Sequence, residues 1–467
     1  MKALRWTLLG VAWLLAGSVA LVVTLYLVAV AINWNDQPPS ADARAFAAAL
    51  DDLPPVADED NGYVYLLGFG ARRDADPLQV GTARAEWIRD LNSKRVLDRN
   101  SDAYPPEPAD ALNAALRELV APCDQQWDAA CFAQLESSAE RITLIVENER
   151  WWLERYQTLL GYSAWRQIDS YDIGGPWPRY VDVRWAQTLY FLNVWTVARQ
   201  GDAAAVQQLL SRDLKLWRLA NQQSDHLLGK AIAQSQIRQH FEWSNLIVRR
   251  LPRESALQAI PEAWRIAIST DERSLRRALT GELRFLQSTT FGFKTRGTDS
   301  ASAITDYTGS TWDRLNTRLA LALLQPQDTV NRWAGDYLTL ADLFDAPYGE
   351  LAAALASAHA VEQRGFEWEG VGGTVYNVTG DLLRATGTNI SSFARRFADL
   401  EGMRRAALLT AELRSRGVAA SDLPRELAAA VSRNPYSDEP FGWDADSESV
   451  VFEGLESAPR GHYAFLY

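Results

Sequence analysis

The chain has 467 residues, a formal net charge of −12 and 47% hydrophobic residues, which is enough apolar material for a sizeable core. No run of lysines or arginines could follow a phosphate backbone, so the composition argues against a nucleic-acid partner. Basic charge is almost all arginine and alanine is abundant, as is typical of GC-rich coding sequence, and we expect a bacterial source.

The first element in the chain is an apolar segment from Trp6 to Ile32 that contains no charged residue. As a helix it would extend about 40 Å, enough to cross a bilayer core with some tilt. We therefore predict a transmembrane helix at residues 6–32, with the lipid bilayer as its partner.

The flanking charges predict the orientation of this helix. Lys2 and Arg5 precede it and Asp36 follows it, so the positive-inside preference places residues 1–5 in the cytoplasm and the body in the periplasm. The alternative is a cleaved signal peptide, since Ala29-Val30-Ala31 resembles a cleavage site, although its apolar region would normally be shorter. We expect an uncleaved anchor in the bacterial inner membrane.

The remaining chain divides into three predicted parts. Residues 33–43, "NWNDQPPSADA", form a polar, proline-containing linker. From 44 to 430 apolar residues recur mostly at helical spacing, with turn-forming residues grouped between the periodic stretches. Residues 431–467 are predicted to form a β-hairpin segment packed on the body. The fold class is therefore mainly α, with a small C-terminal hairpin.

The two cysteines, Cys123 and Cys131, lie between predicted helices in "APCDQQWDAACFAQL". In an oxidising compartment, two cysteines this close are most simply a disulfide. A redox-active pair, more often C-x-x-C, or a metal site lacking its other ligands are the alternatives.

Four further segments mark turns or long connections. In "ARQGDAAAV", Gly201 ends one helix and Asp202 can cap the next, as in a helical hairpin. Long loops are predicted at 169–182, 292–313 and 367–381, the last partly extended. Such loops are often functional, and plain connections between helices are the alternative.

The sequence contains no recognisable metal or cofactor motif, and we predict neither a metal nor a cofactor. Of the four histidines, His226 and His240 would lie about 21 Å apart on one helix and cannot share a metal; the others are His359 and His462. There is also no G-x-S-x-G elbow and no Walker loop. "GFGARR" at 68–73 is interpreted as a helix ending.

Carboxylates remain the plausible catalytic groups, with Glu282 as the candidate. In "SLRRALTGELRFLQ", Glu282 falls on the apolar stripe marked by Leu275, Leu279 and Leu286. A glutamate on a core face could have a raised pKa and serve as an acid. The structural alternative is a buried pair with an arginine.

The acidic stretch "NPYSDEPFGWDADSESVVFEGL" near the end of the chain does not fit a calcium loop. With Asp444 as position 1, Ser449 stands where the turn glycine is needed and Leu455 where the bidentate glutamate is needed. The strand-like "PFGWDA" and "SVVFEGL" around "DSE" indicate a hairpin instead. Pro435, Tyr436, Phe441 and Trp443 are expected to pack it onto the helices.

Several stretches resemble an uncharacterised group of bacterial single-pass membrane proteins with helical extracytoplasmic bodies. They include "INWNDQPPS", "NGYVYLLGF", the "C...DAAC" pair, "NERWWLERYQTLL", "SRDLKLWRLA" and "NPYSDEPFGWD". The resemblance covers most of the body and implies its fold and location. It implies no reaction or catalytic residues.

These observations favour a membrane-anchored periplasmic protein that is a non-catalytic interaction or scaffold protein of the cell envelope, with an envelope protein as its partner. The alternatives are a carboxylate-dependent envelope hydrolase using Glu282 and the 169–182 loop, or a protein that binds a small ligand or lipid in a Trp-lined cavity between helices.

Overall fold

The protein is described here by a computed structural model. The structure describes residues 2–94, 104, 114–123, 127–171, 175–296, 310–363, 375–385, 389–456 and 459–467. The predicted extended part of 367–381 lies mostly outside these residues, as do 172–174 and most of 292–313. The mainly α fold predicted from the sequence is confirmed.

The helices, in chain order, are α1 Lys2–Ile32, α2 Ala41–Asp51, α3 Gly62–Leu67, α4 Pro77–Lys94, α5 Ala114–Val120, α6 Ala129–Ser137, α7 Ala139–Asn148, α8 Arg150–Leu159, α9 Tyr180–Arg199, α10 Ala203–Gln223, α11 Leu227–Arg250, α12 Thr270–Arg273, α13 Arg276–Arg296, α14 Thr311–Ala322, α15 Pro326–Phe344, α16 Leu351–Gln363, α17 Val378–Ala385, α18 Ile390–Ser415 and α19 Leu423–Ala429. The apolar spacing in the sequence explains most of them, because each buries one stripe against its neighbours.

Helix α1 contains the apolar segment. Among the described residues it is the one helix long and apolar enough to cross a membrane, over Arg5–Ile32. From Arg5 onward its side chains are exposed except near the C-terminal end, where Tyr26, Ala29 and Val30 are partly covered. These three positions lie on one face of the helix, because residues three and four apart are neighbours.

The segment from Asn33 to Ser40, predicted as part of a linker, is hydrogen-bonded to the body. The Asn33 side chain accepts from the Asn377 backbone at 2.6 Å. The Asp36 carboxylate accepts from the backbone N–H groups of Gln327 (2.7 Å) and Asp328 (3.0 Å). Asp36 therefore caps the N-terminus of α15, where the helix dipole favours a negative charge.

Further contacts continue along the same segment. Asn331 on α15 donates to the Pro38 carbonyl at 2.9 Å and accepts from the Ser40 backbone at 2.8 Å. Ser40 then caps α2, which begins at Ala41. We call residues 33–40 with their partners on α15 and at 375–377 the clasp. Because its bonds fix successive residues, the clasp joins α1 to the body without a free linker.

The helical hairpin predicted around Gly201 is present. Helices α9 and α10 meet there, with Gly201 at φ +81° and the Asp202 side chain accepting from the Ala205 backbone at 2.9 Å. The glycine is needed because this left-handed conformation is costly for other residues.

The core consists of two hydrophobic clusters. The first surrounds α9, α10 and α11 and includes α3 to α8, the C-terminal part of α18 and the terminal sheet. The second is built from α2, α13, α15, α16 and the N-terminal part of α18. Helix α18 passes from one cluster to the other between Ala398 and Leu400. It therefore ties the two halves of the body together.

The C-terminal segment forms an antiparallel sheet of three strands, β1 Gly442–Asp444, β2 Ser449–Glu453 and β3 His462–Leu466, in the order β1-β2-β3. Trp443 pairs with Val450, and Val450 with Phe465. The predicted hairpin is confirmed, and β3 is an additional strand. At the turn, the Asp444 carboxylate accepts from the Asp446 backbone at 3.0 Å and the Ser447 hydroxyl at 2.7 Å. The acidic stretch thus has a structural role in the turn.

The two cysteines form a disulfide, with their Cα atoms 4.8 Å apart. The bond closes the connection between α5 and α6, and both cysteines are buried in the first cluster.

Candidate functional site

The candidate Glu282 lies on α13 beside the N-terminus of α11. Its carboxylate accepts from the Leu227 backbone at 3.0 Å and lies 2.7 Å from His226 Nδ1. The charged partner is thus a histidine, where the structural alternative from the sequence was an arginine. The side chains of His226 and Glu282 are 4% and 19% exposed. Glu282 therefore supplies a cap to a neighbouring helix, since α11 has no side-chain cap of its own.

Close packing brings Glu282 to this position. A Cβ atom on Gly281 would lie 1.7 Å from the Asp225 carbonyl oxygen, so α13 can approach the start of α11 only with glycine there. Asp225 is held from α13 as well, because Arg277 donates to its carboxylate at 2.6 Å. The pair is therefore built into the contact between two helices.

The charges around His226 raise its pKa. Burial by itself disfavours the charged imidazolium, but the hydrogen bond and charge of Glu282, with Asp169 and Asp225, hold the pKa of His226 above its usual value. The Trp177 and Phe285 rings lie edge-on to the imidazole, 5.5 Å and 5.8 Å from it. These two aromatic rings help to enclose the imidazole.

The predicted loop 169–182 contributes Asp169 and Trp177 to the same region. Tyr63 donates to the Asp169 carboxylate, and burial raises the pKa of Asp169, while His226 and Tyr63 act in the opposite direction. Asp169 Oδ2 and His226 Nε2 are buried without a hydrogen-bond partner among the described residues. The structure thus brings the two weak sequence candidates, Glu282 and this loop, to one place.

A second histidine, His240, lies in a wholly buried polar network. His240 Nδ1 is 2.8 Å from the Asp213 carboxylate, and Trp264 donates to His240 Nε2 at 3.0 Å. Tyr156 donates to the same carboxylate at 2.5 Å. The pairing resembles a catalytic Asp-His dyad, but Trp264 occupies the nitrogen that would act as the base. This network is structural.

A polar cavity opens between α9 and α11, beside the disulfide. Its volume is about 210 Å³, and its lining consists of Val120, Trp127, Arg184, Trp185, Thr188, Ser235, Arg238, Gln239, Glu242 and Trp243. Trp127 and Trp243 meet edge to face, with ring centroids 5.1 Å apart. Indole faces and charged groups therefore line the same wall.

The charged groups in this cavity are paired. Arg238 donates to Glu242 at 2.8 Å, one helical turn away. Burial raises the pKa of Glu242, and the guanidinium groups of Arg238 and Arg184 oppose that rise. Gln239 on α11 donates a hydrogen bond to the Thr188 hydroxyl on α9 at 2.7 Å, so two lining residues bond across the cavity. In the sequence, "IRQHFEW" places Arg238, Glu242 and Trp243 close together. Trp127 and Trp185 join them only through tertiary packing.

No metal centre is evident among the residues that the structure describes, because no three of their His, Cys, Asp or Glu side chains are grouped to hold an ion. No protein-family model, curated protein or solved structure matches the chain.

Proposed function

We propose that the protein is a single-pass protein of the bacterial inner membrane, with its N-terminus in the cytoplasm, whose periplasmic helical body is a non-catalytic scaffold for another envelope protein. The apolar helix α1 supports the anchor, and the disulfide suits an oxidising compartment. The resemblance to bacterial single-pass proteins points the same way.

The observation that carries this proposal is the clasp. A tethered enzyme needs only a flexible link, whereas here Asn33 and Asp36 join the anchor to α15 and to residue 377 through hydrogen bonds of 2.6 to 3.0 Å. Such a joint holds the body in one orientation above the membrane. Fixed orientation is useful to a protein that presents a surface to a partner.

Photo-crosslinking in intact cells tests the scaffold. We expect the wild-type chain to give a discrete crosslinked species, and the double variant Asn33→Ala with Asp36→Ala to give less of it, because the body is no longer held in place. Asn35→Ala is the matched control, since the Asn35 side chain is exposed. A wild-type chain that yields monomer only, from several exposed positions, contradicts the proposal.

The location is tested separately with alkaline phosphatase fused after Tyr467. The enzyme folds to its active form in the periplasm, where its disulfides form. High activity supports the proposed topology, and an inactive but expressed fusion contradicts it.

The cavity between α9 and α11 favours a second candidate function, the binding of a small polar ligand. Trp127 and Trp185 are only half-buried and offer indole surface for an apolar ring. Arg184, Arg238 and Glu242 offer charged hydrogen-bond donors and acceptors. A sugar carrying a carboxylate fits this chemistry, and fragments of cell-wall material have it.

Calorimetric titration with N-acetylmuramyl dipeptide tests this candidate. We expect saturable binding that weakens in Arg238→Gln, with Arg141→Gln, an exposed arginine elsewhere, as the control. Absence of binding heat with the wild-type protein, or equal binding by both variants, contradicts it.

A further inference from the structure

Helix α14, Thr311–Ala322, does not pack its apolar residues into either hydrophobic cluster. None of its residues is buried, yet Trp312, Leu315 and Leu319 are apolar and 68%, 43% and 39% exposed. Their spacing of three and four places them along one stripe. Helices of this length gain most of their stability by packing such a stripe against something.

Two exposed arginines, Arg314 and Arg318, border the apolar stripe of α14. At 100° per residue, Arg314 lies about 100° and Arg318 about 60° from Leu315, the nearest residue of the stripe. An apolar stripe containing tryptophan, with arginines beside it, is the pattern of a helix that lies in a membrane interface.

The fold places α14 beside the end of the anchor. Tyr26 donates from its hydroxyl to the Leu319 carbonyl at 3.1 Å. Tyr26 lies six residues before Ile32, the last residue of α1, which is roughly 9 Å along the helix axis. The C-terminal half of α14 therefore lies level with the final turns of the apolar helix rather than beyond them.

Helix α17, Val378–Ala385, extends the same surface. Thr379 donates to the Ala320 carbonyl at 2.6 Å, which ties α17 to α14. Asn33 of the clasp donates to the Val375 carbonyl at 2.7 Å. Val375, Val378 and Leu382 are 39%, 38% and 65% exposed. Apolar side chains of both helices thus remain uncovered next to the anchor.

We infer that α14 and α17 form a membrane seat, embedded in the interfacial region of the leaflet from which the body emerges. The lipid bilayer covers this surface, because the apolar part of α1 lies at the same height as α14. The clasp also keeps the body from moving away from the membrane. The apolar stripe of α14 enters the boundary between the lipid headgroups and the acyl chains, and Arg314 and Arg318 bind lipid phosphates. This inference rests on the proposed membrane anchor.

Spin labelling of the full chain in liposomes tests the seat. The two natural cysteines are joined in the disulfide, so single cysteines can be introduced and labelled at Leu315, at Val23 inside the apolar helix and at Val431, which is 98% exposed. Collision rates with oxygen and with a water-soluble nickel chelate then report depth. We expect the oxygen-to-nickel ratio at Leu315→Cys to fall between those at Val23→Cys and Val431→Cys.

The outcomes separate the seat from the anchor. If Val23→Cys reports lipid while Leu315→Cys matches Val431→Cys, the anchor stands and the seat is wrong. Low collision rates with both reagents at Leu315 mean that protein, such as a second copy of the chain, covers α14, and they also overturn the seat. If Val23→Cys itself reports water, the proposed anchor fails first.

Discussion

At the scale of single residues, buried cations mostly bind backbone carbonyls at the ends of helices. Arg155 donates to the carbonyls of Phe69, Ala71, Arg72 and Ala75 at 2.5 to 3.0 Å. These carbonyls follow α3, so "GFGARR" is a helix ending as predicted. Carbonyls at helix ends lack intrahelical donors and attract positive charge. Arginine suits this task because its planar group donates in several directions.

Sequence reasoning located Glu282 on a core stripe but could not identify its partner. His226 is far away along the chain and meets Glu282 only because Gly281 lets α13 approach α11. Helical periodicity reports which face of a helix is buried, and it carries no information on what lies opposite. For the same reason, the sequence suggested a Trp-lined cavity between helices only as an alternative and could not identify the tryptophans that line it.

The pair of Glu282 and His226 should make stability depend on pH. Because the folded-state pKa of His226 is raised, its contribution is fully present below the unfolded pKa, about 6.5, and is lost as the pH rises through the folded pKa. We expect Glu282→Gln to lower the free energy of unfolding by about 1–3 kcal/mol near pH 5.5 and by less near pH 8. Chemical denaturation at several pH values measures this.

Glu147→Gln is the control for that experiment, since Glu147 is exposed and its replacement should change little at any pH. Unchanged stability of Glu282→Gln, together with loss of a cell-wall hydrolase activity shown by the wild type, would instead support the enzyme alternative.

The buried carboxyl group of Asp399 on α18 should also make stability depend on pH, in this case through an acid rather than a base. Its carboxylate accepts from Tyr436 (2.8 Å), Tyr463 (3.1 Å) and the Leu455 backbone (2.9 Å), yet burial raises its pKa to about 6. A raised acid pKa means that stability is highest below the unfolded pKa and falls as the pH rises through about 6. The loss approaches about 3 kcal/mol.

Asp399→Asn should remove this fall, because an amide of the same shape does not ionise. Urea denaturation between pH 4 and 7 would show a flatter profile for the variant than for the wild type. Asp446→Asn, at an exposed position in the turn of the sheet, is the matched control. Parallel profiles for Asp399→Asn and the wild type would disprove the assignment.

At the scale of elements, helical periodicity predicted the body well, and the hairpin at Gly201 was found from its turn residues. Strand β3 was not predicted, because "HYAFL" is short and follows no turn signal that sequence inspection recognised. It forms only because β2 offers an edge, pairing Phe452 with Tyr463. The clasp escaped prediction because the partners of residues 33–40, on α15 and at 375–377, lie far along the chain.

The contact between the sheet and α18 depends on one glycine. A Cβ on Gly402 would lie 2.0 Å from the ring of Phe452, which is fully buried. We expect Gly402→Ala to lower stability by about 1–3 kcal/mol, because the ring has to move within a packed core. Thermal melting followed by circular dichroism measures the effect.

Gly335 on α15 provides the matched control, since a Cβ there meets nothing within 4 Å. Gly335→Ala should raise stability by up to about 1 kcal/mol through helix propensity. If both variants are stabilised alike, the close packing of Phe452 on α18 is wrong.

At the scale of the whole molecule, α18 contributes to both hydrophobic clusters, and Leu227 at the start of α11 also lies in the second cluster. Leu210 is fully buried in the first cluster and Leu279 in the second. Because one helix completes both clusters, we expect the body to unfold in one transition. Leu210→Ala and Leu279→Ala should each remove about 2–5 kcal/mol, and each should lower the same transition in calorimetry. Two separate peaks, with each variant moving only one, would contradict shared stability.

The clasp also has a mechanical consequence. An apolar helix longer than the hydrocarbon core tilts to match a thinner bilayer. With a flexible linker the tilt would end at the membrane surface, but here Asp36 and Asn33 bind α1 directly to the body. The body must then lean together with the helix. In a chain anchored as proposed, bilayer thickness would thereby set the angle between the mouth of the Trp-lined cavity and the membrane surface.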